Sequence, residues 1–174
     1  MVVLLRELMD RVPQVGAVTW IGVRPERRGK MQPVESAEAV VDRGLRGDRF
    51  FERKVVQRAP RQVTLIQHEH LAVIAALLDR DLLEAAPLRR NVAIAGVNLA
   101  GLKGRPIRLG EVVLEITGPC HPCSRMEEAL GEGGYQAMRG HGGWCAMVTG
   151  PGTLRVGDQV HAHSQAAPPV LEAP

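Results

Sequence analysis

A chain of 174 residues has room for one well-cored domain and little more, and with 45% hydrophobic residues but only 3% aromatics that core is built of Val, Leu, Ile and Ala. The composition excludes a disordered chain, and two Trp, one Tyr and two Phe leave too few stacking platforms for a single-strand nucleic-acid binder. Net charge is only +3, yet Arg24 to Arg61 holds eleven Lys/Arg against six Asp/Glu, a local +5 that leaves −2 for the remainder; a small anionic ligand with phosphate groups suits such a stretch, and a solvated basic face is the plain alternative.

Residues 1–15 carry Arg6, Glu7, Asp10 and Arg11 within an apolar run, so they form neither a signal peptide's uncharged centre nor a membrane span. The expectation is a cytoplasmic protein with no membrane partner, whose three cysteines are reduced and available for reaction or metal binding rather than for a disulfide framework. Val15 to Val23 reads as a β-branched strand, and Arg24 to Pro33 as a loop punctuated by Pro and Gly. Ala39 to Leu45 reads as a second strand ended by Gly44 and Gly47, and Arg61 to Ile66 as a third. From His68 to Leu83, Leu71, Ile74, Ala75 and Leu78 fall at helical spacing, the one convincing amphipathic helix. Arg90 to Ala95, Arg105 to Leu109 and the alternating Glu111 to Ile116 are further strands. Glu127 to Leu130 and Tyr135 to Arg139 are helical turns separated by glycines, after which Cys145 to Val148 and Gly152 to Asp158 return to strand and turn. The single domain is expected over residues 1–163, with its core at about 15–162, and the Pro/Ala-rich stretch 164–174 as a disordered tail.

Many short strands with one long helix predict a mainly β fold, a closed or nearly closed barrel with a few peripheral α-helices, because closure removes exposed strand edges. Strands and helices do not alternate as a doubly wound sheet requires.

Ile116 to Met126 contains the most informative stretch, Gly118-Pro-Cys120-His-Pro-Cys123, set between an alternating strand and a helical turn. Pro119 and Pro122 stiffen it by fixing φ. The first amides of the turn after Cys123, with Arg125 nearby, put positive charge beside that sulfur, a setting that suits a nucleophile or a soft metal ligand. Four readings compete. Cys120, Cys123, His141 and Cys145 have the spacing C-x2-C-x17-H-x3-C of a structural zinc site, which would make the chain a zinc-stapled binding module. Strand, Cys-His-Pro-Cys, helix suggests a thioredoxin-like pair, though the surrounding βαβ context is missing. The cysteines would otherwise pack as small hydrophobes, or serve a cofactor or sulfur site.

Gly44-Leu-Arg-Gly-Asp48-Arg49, Arg61 to Ile66, Leu88-Arg-Arg-Asn91, Gly118 to Cys123, Arg139-Gly-His-Gly-Gly143 and Leu154-Arg-Val-Gly-Asp158 occur in an order that resembles MOSC domains. Those are the domains that close molybdenum cofactor sulfurases and the mitochondrial amidoxime-reducing enzymes, and the likeness covers about residues 15–162. It implies the MOSC barrel, related to that of pyruvate kinase, with a cleft for a molybdenum cofactor, the anionic pterin molybdopterin. It implies that Cys123 binds molybdenum or carries sulfur, with Cys120 as the second thiol. His141, set between glycines, reads as a proton donor lining the cleft because an imidazole titrates near neutrality, with a plain loop histidine as the alternative. Arg61, Arg89 and Asn91 become contacts to phosphate and pterin, with Arg49 and Arg125 beside them; a guanidinium fork suits phosphate and an amide suits the mixed edge of a pterin. Asp48 and Arg49 are expected to form a local ion pair, and Gly47 to adopt positive φ. The activity implied is reduction of N-hydroxylated compounds with an electron-donor protein as partner, or else a sulfur carrier loaded by a separate cysteine desulfurase. The length predicts a stand-alone, pyridoxal phosphate-independent member, without the aminotransferase-like domain of the sulfurases or the added N-terminal domain of the amidoxime reducers. Phe50 and Phe51 stand where many relatives carry a histidine.

Overall fold

The computed structural model describes residues 4–162, so the expected tail at 164–174 lies outside the described residues. The strands are β1 (Gly16–Val23), β2 (Gln32–Pro33), β3 (Ser36–Val40), β4 (Gly44–Leu45), β5 (Val63–Gln67), β6 (Val92–Ala95), β7 (Pro106–Leu109), β8 (Val112–Pro119), β9 (Trp144–Gly150), β10 (Gly152–Arg155) and β11 (Gln159–Ala162). The helices are α1 (Leu5–Asp10), α2 (Glu69–Leu77), α3 (Ser124–Leu130) and α4 (Gly134–Ala137), with 3₁₀ turns at Ala86–Leu88 and Leu99–Leu102.

Seven strands pair in the order β11-β7-β8-β9-β5-β6-β1, and β1 returns to β11 through Gly16 opposite Val160 and Ala17 opposite Gln159. The sheet therefore closes into a barrel, which leaves no free edge around the ring. β2 extends β1 outside it, and β10, β3 and β4 form a small separate sheet. Period-two alternation decides what faces inward: Val112, Leu114 and Ile116 of β8 are buried while Val113 and Glu115 between them are only half-buried. The barrel interior holds Val18, Ile21, Leu65, Ile94, Ile107, Leu114 and Val148. A second apolar layer lies on the outside of β5 and β6, where Ile66 and Ala93 pack against Ile74 of α2, Leu88, and Met126 and Leu130 of α3. Each fully buried Leu or Ile contributes roughly 1.5–3 kcal/mol. The β5–β6 pair is thus buried on both faces, which is why its residues read as a continuous apolar run.

Two expectations need correction. Ala39 to Leu45 is not one strand but the hairpin of β3 and β4, turned at Asp42 with φ 61°. The predicted helix 68–83 ends at Leu77, because Asp79 enters the left-handed region (φ 54°) and the amides of Asp79 and Arg80 donate back to the carbonyls of Ala76 and Ala75. That paired closure stops a helix whatever apolar residues follow. β5, α2 and β6 form one βαβ unit, a parallel pair with the helix as its crossover, and the cysteine loop lies outside it, as expected. Among the described residues no helix is long and apolar enough to cross a membrane.

Candidate functional site

β5 and β6 run parallel, so both start at the same end of the barrel, and the residues just before and at their starts meet there. Asn91 is the keystone of that end. Its Nδ2 donates to the Gly22 carbonyl at 3.2 Å and to Asp48 Oδ2 at 3.0 Å. Its Oδ1 accepts from the Thr64 amide at 3.0 Å and the Thr64 hydroxyl at 2.8 Å. Every donor and acceptor of the amide is used by the protein, so Asn91 lines the cleft without a free donor for the pterin contact expected of it. Asp48 in turn accepts from the Arg24 and Phe50 amides. Its carboxyl is pushed up by burial, against the hydrogen bonds from Phe50 and Asn91. No Asp48–Arg49 ion pair forms among the described residues, because Asp48 is turned inward to these partners. Gly47 does take positive φ, at 85°.

Arg90 is only 4% exposed. Its guanidinium donates to the carbonyls of Gly142 at 2.6 Å, Leu88 at 2.8 Å and Cys120 at 3.1 Å. One side chain thereby clamps the cysteine loop to the glycine loop 140–143, and the Cys120 amide donating to the Gly143 carbonyl at 2.8 Å completes the clamp. Cys123 follows as the N-cap of α3, which is seated by buried Met126 and Leu130 and by Arg80 donating to the Leu130 carbonyl.

Between these parts lies a cleft of about 470 Å³, lined by eight arginines, Arg24, Arg27, Arg49, Arg53, Arg61, Arg89, Arg90 and Arg125, and by one acid, Asp48. Cys123 is exposed, a free thiol, and belongs to the same lining. Arg24 Nε and Arg89 Nη2 are buried without a hydrogen-bond partner. Arg89 Nη1 donates to the Gly29 carbonyl at 3.3 Å, and burial, with Arg125 nearby, holds its guanidinium below the usual arginine range. Buried unpaired donors are costly, and crowded guanidinium groups repel one another. Both costs are relieved by an anion with several acceptor oxygens.

Of the expected site residues, the structure brings Arg49, Arg61, Arg89, Asn91, Cys123 and Arg125 to one cleft, and it leaves Cys120 and His141 out of that lining. Cys120 is buried, and the Cys145 thiol beside it, with Arg90 and Arg61 further off, lowers its pKa despite burial; the same pairing and its own burial raise Cys145. Cys145 Sγ also lies 3.8 Å from the Pro119 carbonyl. His141 does not face the cleft as expected but packs edge-on against His70, ring centroids 4.8 Å apart. The zinc arrangement is therefore corrected: Cys120 and Cys145 are buried together, Cys123 faces the cleft and His141 faces α2, and among the described residues no three His, Cys, Asp or Glu groups converge to hold a metal. Arg24, Arg27 and Arg53 belong to the site without having been singled out individually, and the basic stretch 24–61 was their only signal.

The fold is shared with solved proteins of low sequence identity. The YuaD protein from Bacillus subtilis superposes with a TM-score of 0.72 at 20% identity, over 86% of this chain and 97% of that one. YiiM from Geobacillus stearothermophilus gives 0.68 at 15% identity, covering 85% and 75% of the two chains, and YiiM from Escherichia coli gives 0.64 at 18% identity, covering 87% and 72%. No curated protein matches in sequence. The MOSC domain model matches residues 52–161, a span that runs from just before β5 to β11 and takes in the parallel pair, the arginine clamp, the cysteine loop and the glycine loop; the chain belongs to the MOSC domain family.

Proposed function

We propose that this chain binds a molybdenum cofactor in the arginine cleft and acts as a cytoplasmic oxidoreductase on N-hydroxylated compounds, drawing electrons from a partner protein. The observation that carries the reading is the coincidence of an exposed thiol, Cys123, with an arginine-lined cleft in which Arg24 and Arg89 hold unpartnered buried donors. The residues fit such a group: Arg24, Arg89 and Arg125 offer forked donors to its phosphate, and Cys123 offers one soft ligand to the metal. Bound there, molybdenum supplies the two-electron couple that removes oxygen from nitrogen. The chain's own part is positional. Arg90 holds the cysteine loop, Asn91 and Asp48 hold the cleft floor, and the surrounding guanidinium groups favour an anionic ligand beside Cys123.

Protein made in a cofactor-producing host tests this. Wild type is expected to carry molybdenum and pterin in near-stoichiometric amounts, Arg89→Ala to lose most of both, and Cys123→Ala to keep pterin while losing N-hydroxylamine reduction. Wild type purified with neither metal nor pterin, beside a control that retains both, refutes the reading.

A second reading follows from the same exposed sulfur. Cys123 thiolate attacks the terminal sulfur of a desulfurase persulfide, takes that sulfur as its own persulfide and releases the desulfurase thiolate. Mass spectrometry after mixing would show one added sulfur on wild type and none on Cys123→Ala.

A further inference from the structure

Cys120 and Cys145 lie outside the arginine cleft and also outside the apolar core. β8 ends at Pro119 opposite Trp144, with Gly118 opposite Cys145, and the Cys120 amide carries the pairing one step further by donating to the Gly143 carbonyl. Cys120 and Cys145 therefore stand diagonally across the two strands on one face, where their thiols share a hydrogen bond. They are 2% and 8% exposed, yet neither belongs to either apolar cluster. Packing as small hydrophobes does not account for the pair.

The pair sits beside a buried charge. Arg90 donates to three neutral carbonyls, one of them that of Cys120, and among the described residues no carboxylate pairs with it. A buried guanidinium without a counter-charge is costly. Burial holds it below the usual arginine range, and the acidic group that most opposes this is Cys120, with Cys145 after it. The charge is offset when the two thiols together hold a single proton, Cys120 as thiolate and Cys145 as donor; Arg61 and His121 add positive field at Cys120.

A proton held between two sulfurs selects what can replace it. A soft monovalent d10 ion accepts two thiolates in a line and leaves the buried charge unchanged: the remaining S–H bond breaks, its proton passes to solvent, and two sulfur–metal bonds form. Sulfurs close enough to share a proton need part only slightly to share such an ion. A dication would add charge beside Arg90 and would lack further ligands, since among the described residues no three His, Cys, Asp or Glu groups converge. Exposed Cys123, on the same loop, offers a first thiol for ligand exchange with a small-thiol complex of the ion. We propose that Cys120 and Cys145 form a two-coordinate site for a soft monovalent cation, cuprous copper above all, with Arg90 as its buried counter-charge. The ion ties the cysteine loop to the start of β9 and leaves Cys123 free, and the site stands independently of the cofactor reading of the cleft.

Cofactor-free protein, reduced and kept anaerobic, is titrated with Cu(I) held as its bicinchoninate complex, and the copper it retains is counted and examined by X-ray absorption. Expected is one copper per chain, bound by sulfur alone and with the edge feature of linear two-coordination. Cys120→Ser and Cys145→Ser, with unchanged circular dichroism, should each weaken binding about a hundredfold or more through loss of one of two ligands. Cys123→Ser should keep the affinity, and Zn(II) should not be retained. The spectrum is read on wild type, so it decides the matter even where a serine variant fails to fold. No copper retained against bicinchoninate, a spectrum with nitrogen or oxygen ligands or with three sulfurs, retention that follows Cys123 rather than the buried pair, or Zn(II) held as tightly as copper overturns the proposal.

Discussion

Arg89 and Arg90 are adjacent in the chain and opposite in role, and the difference comes from where each guanidinium ends. Arg90 satisfies three backbone carbonyls, two of them 52 and 30 residues away at Gly142 and Cys120, while Arg89 keeps a donor free at the wall of the cleft. Lysine in place of Arg90 keeps the charge but loses the planar fork, and leaves buried carbonyls unpaired. Arg90→Lys is expected to lower unfolding free energy by roughly 2–3 kcal/mol in urea titrations, whereas Arg61→Lys, on an exposed side chain, should stay within about 0.5 kcal/mol. Equal effects would remove the clamp. The sequence motif drew attention to this Arg-Arg-Asn stretch but not to the division of labour within it, since burial is set by contacts remote in the chain. Asn91 shows the same limit. An amide that looks suited to a pterin edge is consumed by Thr64, Gly22 and Asp48, none of which is a sequence neighbour.

At the level of elements, the strands with clean alternation or continuous apolar runs were legible, because those patterns register burial directly. What escaped was decided by single backbone conformations: the left-handed Asp79 that closes α2 and the left-handed Asp42 that folds the expected strand 39–45 into a hairpin. β11 escaped too, since Gln159 to Ala162 is too short to show a pattern and gains its place by closing the barrel. The glycine loop carries the same lesson into the site. A Cβ on Gly143, at φ 89°, would lie 2.0 Å from the Leu65 carbonyl, and one on Gly142 would lie 2.6 Å from the Cys120 carbonyl. Gly140 also has positive φ, at 81°, but would meet nothing within 4 Å. Gly143→Ala is therefore expected to cost roughly 3 kcal/mol or more, conformational strain plus displacement of β5, while Gly140→Ala costs roughly 1 kcal/mol from strain alone. Denaturant midpoints of the two variants, compared with equal slopes, check the difference.

At the scale of the whole molecule, the outer layer meets the loops that support the cleft at a titrating contact. His70 on α2 packs against His141 on the glycine loop, whose neighbours Gly142 and Gly143 support Arg90 and Cys120. Burial first, and then the charge His141 would carry, hold the His70 imidazole below its ordinary value of 6.5; Glu69 pulls the other way and does not prevail. The unfolded chain therefore takes up a proton at His70 near pH 6.5 that the folded chain refuses until lower pH, so stability is full above that value and falls as pH drops below it. Asp48 works in the opposite sense, because burial raises its carboxyl from 3.8. The unfolded chain gives up that proton first, and the resulting stability is lost as pH rises from 3.8 through the raised value. A bare stability curve mixes the two, so the informative quantity is the difference between wild type and His70→Gln, in which Asp48 cancels. That difference is expected to be flat above pH 7 and to turn against wild type below about 6.5. Amide exchange followed along the same series should show protection at Cys120 and His141, whose amides donate to the Gly143 and Met138 carbonyls, falling in wild type over the pH range in which stability falls, once rates are corrected for intrinsic exchange. A difference curve without slope below pH 6.5 would mean that His70 stays solvated and that the contact does not couple α2 to the glycine loop.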